Sequence, residues 1–503
     1  MGLMPKKHDL PPYFAVKVVS AQEMARVEKL AVEDGCSEEA FISEAGKRVA
    51  AAALSLIEEM RLPKHVYLLI GKGNKGADAY AAGIALLEEG IRATAYVCFP
   101  SAKCSEFNRK KGAEFAKRRG QAVSCHETGA PIRFEEGLII DGLLGTGFRG
   151  APEGMAEAAI RIANESKLPI LAIDLPSGLD GTTGELPGAC VQAFETVTLG
   201  MAKSGLFLRN GWNHAGRLRI EPFGLPERFM DQASEIAYLP DPARLLLPKV
   251  VRNRHKYQAG YVVGYAGSDT MRGAPKMAGL AALRAGAGIV RVFHKGGIGD
   301  GPMEVLFQKW SEKEWKRELA RADAVFAGPG LGRGAKIKGV RLPLVCDADL
   351  LQKNGVFPKD AVLTPHRGEM LRMLGLKSAP QEEEFLARCQ KFAERHHAAL
   401  ILKGGPTWIF SHGKPPLIIP RGDPGMATAG AGDVLTGIVA ALLAQKLSSL
   451  DAAATGAYLH AAAGEEAAAA KTSYGLIARD LIECLPAAFR ELERDILRAV
   501  RFE

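Results

Sequence analysis

Short, mostly apolar runs recur along this chain, each about as long as one buried strand, with stretches of helical periodicity between most of them. In the first half they cover residues 65–70, 93–98, 138–140 and 170–173; in the second they cover 261–265, 289–293, 324–327, 344–346, 399–402 and 408–410. A strand apolar on both faces must be covered on both faces, and intervening helices supply that cover when the strands run parallel. The chain is therefore read as α/β with two such halves. Between them, residues 221–249 carry Pro222, Pro226, Pro240, Pro242 and Pro248, a composition suited to a boundary. Domains of 1–238 and 239–503 follow. Ser-Ala-Gln-Glu at 20–23 has capping-box spacing and opens a helix to about residue 34, and a second amphipathic helix covers 38–60. Three more helices start near Gly430, Ala452 and Ala478, and the Ala- and Glu-rich tract 461–471 fits within one of them.

With 503 residues, 47% hydrophobic and 24% charged, the chain can build two or three cores. Its formal charge of +8 is not gathered into one basic run; Arg109, Lys110, Lys111, Lys117, Arg118 and Arg119 read as the solvated face of one helix. That argues against nucleic-acid binding and leaves a weak preference for anionic small molecules. The eight cysteines show neither a Cys-x-x-Cys pair nor His/Cys ligand spacing, which speaks against a zinc site or a disulfide framework and fits a reducing compartment. Residues 1–12 hold charges and prolines in place of an apolar signal core, and no run of about 18 apolar residues follows. A cytoplasmic protein without a membrane partner is expected.

Ligands of parallel sheets sit beyond the carboxyl ends of the strands. In the first half three polar or glycine-rich loops fall there: Gly-Lys-Gly-Asn-Lys-Gly-Ala-Asp at 71–78, Asp-Gly-Leu-Leu-Gly-Thr-Gly at 141–147, and Asp-Leu-Pro-Ser-Gly at 174–178. In the second half the strand ends carry Gly-Tyr-Ala-Gly-Ser at 264–268, Ala-Gly-Pro-Gly-Leu-Gly at 327–332, Thr-Pro-His-Arg-Gly-Glu at 364–369 and Lys-Gly-Gly-Pro-Thr at 403–407. The last offers a cation, backbone donors and a hydroxyl to a phosphate chain. The most informative stretch is Gly-Asp-Pro-Gly-Met-Ala-Thr-Ala-Gly-Ala-Gly-Asp at 422–433, which runs straight into an apolar helix. Gly430 and Gly432 admit a ligand close to the backbone at a helix start, where successive N–H groups seat phosphate. Asp433 repels phosphate, yet a carboxylate there suits the deprotonation of a hydroxyl that attacks phosphorus.

The string His-Lys-Tyr-Gln-Ala-Gly at 255–260, the Gly-Ser turn at 267–268, Gly-Pro-Gly-Leu-Gly at 328–332, Asp-Ala-Asp at 347–349, Leu-Thr-Pro-His at 363–366 and the 424–433 motif together resemble the ADP/ATP-dependent NAD(P)H-hydrate dehydratases. The first half resembles their usual fusion partner, the NAD(P)H-hydrate epimerase domain. The resemblance implies a Rossmann-like three-layer α/β domain followed by a ribokinase-like α/β domain with a mostly parallel central sheet. It implies repair of NADH-hydrate and NADPH-hydrate: epimerisation of the R and S forms, and dehydration of the S form at the expense of ADP or ATP with Mg2+. By position in the family pattern, Asp433 is the catalytic base. Ala274, Gly332, His366 and Asp433 touch the hydrate, while Lys403, Gly404, Gly405, Pro406, Thr407 and Gly432 hold the nucleotide. In the epimerase domain Asp174 transfers the proton, and the pocket is lined by Asn74, Lys75, Gly76, Ala77, Asp78, Gly145, Thr146, Gly147, Phe148, Arg149, Gly150 and Ala151. Subunits of this fold often assemble, so a homo-oligomer is compatible with the sequence.

The first loop departs from the family's Gly-x-Gly-Asn-Asn-Gly-Gly-Asp-Gly. Lys75 replaces an Asn that ligates potassium in the family, while Asp141 and Ser177, its partners there, are retained. A lysine ammonium could take the cation's place or simply abolish metal binding. Ala77 and Ala79 add methyl groups where glycine admits the substrate's phosphates, a costly change if φ is positive. The expectation is an epimerase that is weakened or independent of potassium. Competing readings are a small-molecule kinase of ribokinase-like fold and a catalytically silent first half.

Overall fold

The computed structural model describes residues 10–128, 132–332, 334–337, 339–353 and 355–500. They form two compact units: Val16–Ile236, and Ala237 onward together with the described residues before Val16. Residues 10–15, read above as the start of the first domain, thus belong with the second. The reason is packing: Tyr13 and Phe14 join the second unit's core, and the Tyr13 hydroxyl donates to Asp451 Oδ1 at 2.8 Å.

In the first unit seven strands lie in the order Gln121–Ser124, Arg92–Val97, His65–Ile70, Leu138–Gly142, Ile170–Ile173, Glu195–Leu199, Arg217–Glu221, and every neighbouring pair is parallel. The sequence reading missed the first and the last two of these. They carry polar side chains: Glu195 is buried and held by Arg219 at 2.9 Å and Arg217 at 3.2 Å, so no apolar run marks the strand. The strand order reverses between His65–Ile70 and Leu138–Gly142, which opens a crevice at their carboxyl ends.

The second unit's sheet runs Leu306–Lys309, Ile289–His294, Tyr261–Tyr265, Ala324–Ala327, Leu344–Cys346, Val362–Leu363, Ala399–Leu402, Thr407–Ser411, Lys414–Ile419, Ala237–Pro240. Pairing is parallel except where Thr407–Ser411 meets its two neighbours. Leu306–Lys309, Val362–Leu363 and Lys414–Ile419 had not been anticipated, being exposed, two residues long, and interrupted by Pro415 and Pro416 respectively. Ala237–Pro240 falls in the segment read as a boundary. Helix Ala431–Ala444 lies against Ala274–Arg284 so closely that a Cβ on Gly437 would sit 2.2 Å from the Ala278 carbonyl oxygen. That contact fixes the start of the first helix over the sheet's carboxyl edge.

Candidate active sites

In the second unit, five adjacent parallel strands end side by side and their loops stay linked past the sheet. Gly267 N–H donates to Pro329 O at 2.8 Å, Asp347 N–H to Ala327 O at 3.1 Å, Thr364 N–H to Cys346 O at 3.1 Å, and Lys403 N–H to Pro365 O at 2.9 Å. Gly328 makes this possible: φ is +126° and a Cβ would lie 1.8 Å from the Asp347 carbonyl oxygen. Against this edge stands the start of helix Ala431–Ala444. Its N-cap, Gly430, is left-handed at φ +95° and gives no side-chain cap, so first-turn N–H groups remain for a ligand.

Five side chains converge there. Lys403 Nζ donates to Asp347 Oδ1 at 2.8 Å and lies 3.9 Å from Glu369 Oε2; Thr436 Oγ1 donates to Asp347 Oδ2 at 2.9 Å. Burial opposes the Lys403 charge, but Asp347, Glu369 and Asp433 together raise its pKa. Asp433 is half-buried, and its carboxyl is pushed up to about 7 by desolvation and by Asp347, with Lys403 opposing. A Cβ on Gly432 would come 3.1 Å from Lys403 Nζ, so Gly432 leaves the approach to this cluster open. Asp347 and Thr436, the buried scaffold of the cluster, had been given no role from sequence. Their hydrogen-bond partners lie 56 and 89 residues away, so although Asp347 falls in the Asp-Ala-Asp motif, nothing local assigns either residue its role.

The remaining predicted residues take different places. Gly404, Gly405, Pro406 and Thr407 form the tight link into the antiparallel strand beside Lys403, where Thr407 Oγ1 donates to Gly404 O at 3.2 Å. Gly332 N–H donates to Asp349 Oδ2 at 2.9 Å, and Ala274 begins its helix next to the Gly330 turn. His366 caps helix Arg367–Leu374: Nδ1 accepts from Gly368 N–H at 3.0 Å, while Glu369 reaches back to the His366 N–H at 2.9 Å. With Nδ1 occupied, what the exposed imidazole offers a ligand is its Nε2 edge, which lies 3.5 Å from Glu369 Oε1.

The first unit carries a cavity of about 630 Å³ at its strand-order reversal, lined among others by Glu28, Asn74, Lys75, Asp78, Gly145, Thr146, Gly147, Phe148, Arg149 and Asp174. Gly76, Ala77, Gly150 and Ala151 are not among its lining residues. Ala77 and Ala79 lie within helix Asn74–Glu88, outside the positive-φ residues, and are fully buried. Their methyl groups face the protein interior, so they neither strain the backbone nor crowd the cavity, contrary to the expectation above. Asp174 holds φ +64°, and its Oδ1 accepts from Leu199 N–H at 3.2 Å and from Lys203 Nζ. Lys203, buried and also donating to Leu199 O at 2.8 Å, was missed from sequence, as was Glu28. Desolvation pushes Glu28 up to about 7, with Lys203 opposing and Asp174 adding. Asp78 is pushed well above the usual range by burial, then by Asp174 and Glu28.

Both halves have counterparts among known proteins. The model of the NAD(P)H-hydrate dehydratase family matches residues 262–487, and that of the YjeF-related protein N-terminus matches 38–205. The bifunctional NAD(P)H-hydrate repair enzyme Nnr of Moorella thermoacetica is 33% identical over 95% of this chain and 98% of its own length. The chain belongs to the bifunctional NAD(P)H-hydrate repair enzymes. Relatives of the same description from Coxiella burnetii, at 32% over 92% of this chain and 96% of theirs, and Escherichia coli, at 34% over 84% of each, agree. Among the described residues no helix is long and apolar enough to cross a membrane.

For a repair enzyme of this family, potassium is implied at Asp141 and Ser177. The residues present do not fit it. Lys75 Nζ lies 2.6 Å from Leu175 O, 3.0 Å from Leu144 O, 3.1 Å from Ser177 Oγ and 3.2 Å from Asp141 Oδ2, and the Lys75 side chain is 5% exposed. The oxygens that would ligate a monovalent ion already surround an ammonium.

Proposed function

We propose that this chain repairs hydrated nicotinamide cofactors, with Asp433 as the base of a nucleotide-dependent dehydratase site and Asp174 as the proton-transfer group of an epimerase site. The observation that carries the first assignment is a carboxyl poised at about 7 beside an uncapped helix N-terminus. A group with that proton affinity accepts a proton near neutral pH and still exists as the base.

In this reading Asp433 takes the proton of the hydrate's ring hydroxyl, and the freed oxygen attacks the terminal phosphorus of ADP or ATP. The nucleotide leaves one phosphoryl group shorter. N–H groups of the first turn around Gly432 hold the transferring phosphoryl, and Lys403, kept charged by Asp347, offsets its negative charge. The ring nitrogen's electron pair then expels phosphate, and loss of a proton from the neighbouring carbon restores the reduced ring. Magnesium accompanies the nucleotide's phosphates and no step is assigned to it. In the first unit, Lys203 donates to Asp174 Oδ1, and burial raises the proton affinity of the neighbouring Glu28 and Asp78 carboxyls, so three carboxyl groups that can exchange protons share one cavity.

The test is a coupled assay of the full chain with mixed R and S hydrates and ADP or ATP. Recovery of the reduced-nicotinamide absorbance from both epimers, with one orthophosphate released per turnover, is expected. A stable phosphorylated product without that absorbance would instead identify a kinase.

A further inference from the structure

We infer that the Lys75 ammonium is a tethered replacement for the monovalent cation, so that the first unit's site takes up no potassium and works without it. Three segments meet at Lys75 Nζ. Helix Asn74–Glu88 brings the lysine, strand Leu138–Gly142 and the loop after it bring the Asp141 carboxylate and the Leu144 carbonyl oxygen, and the loop after Ile170–Ile173 brings the Leu175 carbonyl oxygen and the Ser177 hydroxyl. Those strands are neighbours in the sheet, so their carboxyl ends bring the oxygens together.

The charge balance is local and closed. Asp141 is fully buried; its Oδ1 accepts from Ser177 Oγ at 2.6 Å and Leu143 N–H at 3.1 Å, and its Oδ2 from Ser177 N–H at 2.8 Å and Lys75 Nζ. One buried carboxylate is matched by one buried ammonium. A potassium ion could enter only by expelling Lys75 from its four oxygens, which strands an uncompensated buried cation beside the metal. The ammonium does the ion's structural work: it pins the loop that carries Leu144 and Gly145 to the loop that carries Leu175 and Ser177, and both border the cavity that holds Asp174. Covalent attachment removes the dependence on ion concentration.

The melting temperature of the full chain in KCl is compared with that in choline chloride at equal ionic strength, for the parent and for Lys75→Asn, which withdraws the ammonium and supplies an amide oxygen. The parent should melt at the same temperature in both salts, and the variant should melt several degrees higher in KCl. Thallium(I), a heavy stand-in for potassium, is also soaked into crystals of the parent. Anomalous density at the Asp141–Ser177 oxygens, or potassium-specific stabilisation of the parent, would overturn the inference, including in the event that Lys75→Asn fails to fold. The activity arm rests on the epimerase assignment: parent R-to-S conversion should agree within about twofold between the salts, whereas the variant should need potassium by about tenfold. An inactive parent whose melting is potassium-independent refutes the epimerase assignment and with it the claim that the site works without potassium, and leaves standing only that the ammonium excludes the ion.

Discussion

Asp433→Asn separates two effects of one carboxylate: the proposed role as base in the reaction and the destabilisation that its burial brings to the fold. The folded protein holds this carboxyl at about 7, against an ordinary 3.8. Each tenfold change in proton affinity corresponds to about 1.4 kcal/mol. Ionising Asp433 inside the folded protein therefore costs about 4 kcal/mol more than in the unfolded chain. Because the folded value is the raised one, stability is intact below the unfolded value and is lost as pH rises through the folded one. Asn never ionises, so the variant escapes this loss. Its expected gain over the parent is about 2 kcal/mol at pH 5 and about 4 kcal/mol at pH 8. Dehydration should meanwhile fall by about 10²–10⁴ while nucleotide binding persists. Urea unfolding followed by tryptophan fluorescence suits the measurement, since Trp310, Trp315 and Trp408 lie in the unit that holds Asp433 and only Trp212 lies in the other. A stability difference equal at pH 5 and pH 8, or near-normal turnover, would refute the reasoning.

Asp347→Asn removes the negative neighbour that raises Asp433, so the acid limb of the kcat/KM profile for dehydration should move to lower pH by about one unit; an unmoved limb would assign the raised pKa to burial alone. Lys203→Met leaves Asp174 facing Glu28 and Asp78 without its cation. Epimerisation should slow by about 100-fold with its acid limb displaced upward. Dehydration of the S hydrate should be untouched, and parallel loss of both activities would reduce Lys203 to a structural part.

Much of the architecture was readable because burial on both faces leaves an unbroken apolar run, as in His65–Ile70 or Ala324–Ala327. Where a strand buries a carboxylate that a neighbouring strand's arginine holds, as Arg219 holds Glu195, the run disappears and so does the signal. The site loops were legible for a different reason: glycines at strand ends and helix starts answer to backbone geometry, which is local. Gly430 could be placed at a helix entrance from its neighbours alone. Asp347 drew notice within the Asp-Ala-Asp motif, but its role could not be read there, since it lies in the contacts with Lys403 and Thr436. The Ala77 and Ala79 reading failed because a motif does not say which face of its helix meets the ligand.

From sequence came the two alternating α/β halves, the strand-end loops and the carboxylate at the phosphate-seating helix, all set by periodicity and by residues within one turn of each other. Folding decided whether the Lys75 ammonium would reach solvent, substrate or the cation's oxygens. Its partners lie 66 to 102 residues along the chain, and only the sheet's strand order brings them together. A charge finds its lowest energy among whatever oxygens the fold assembles, and that set is a property of three-dimensional packing.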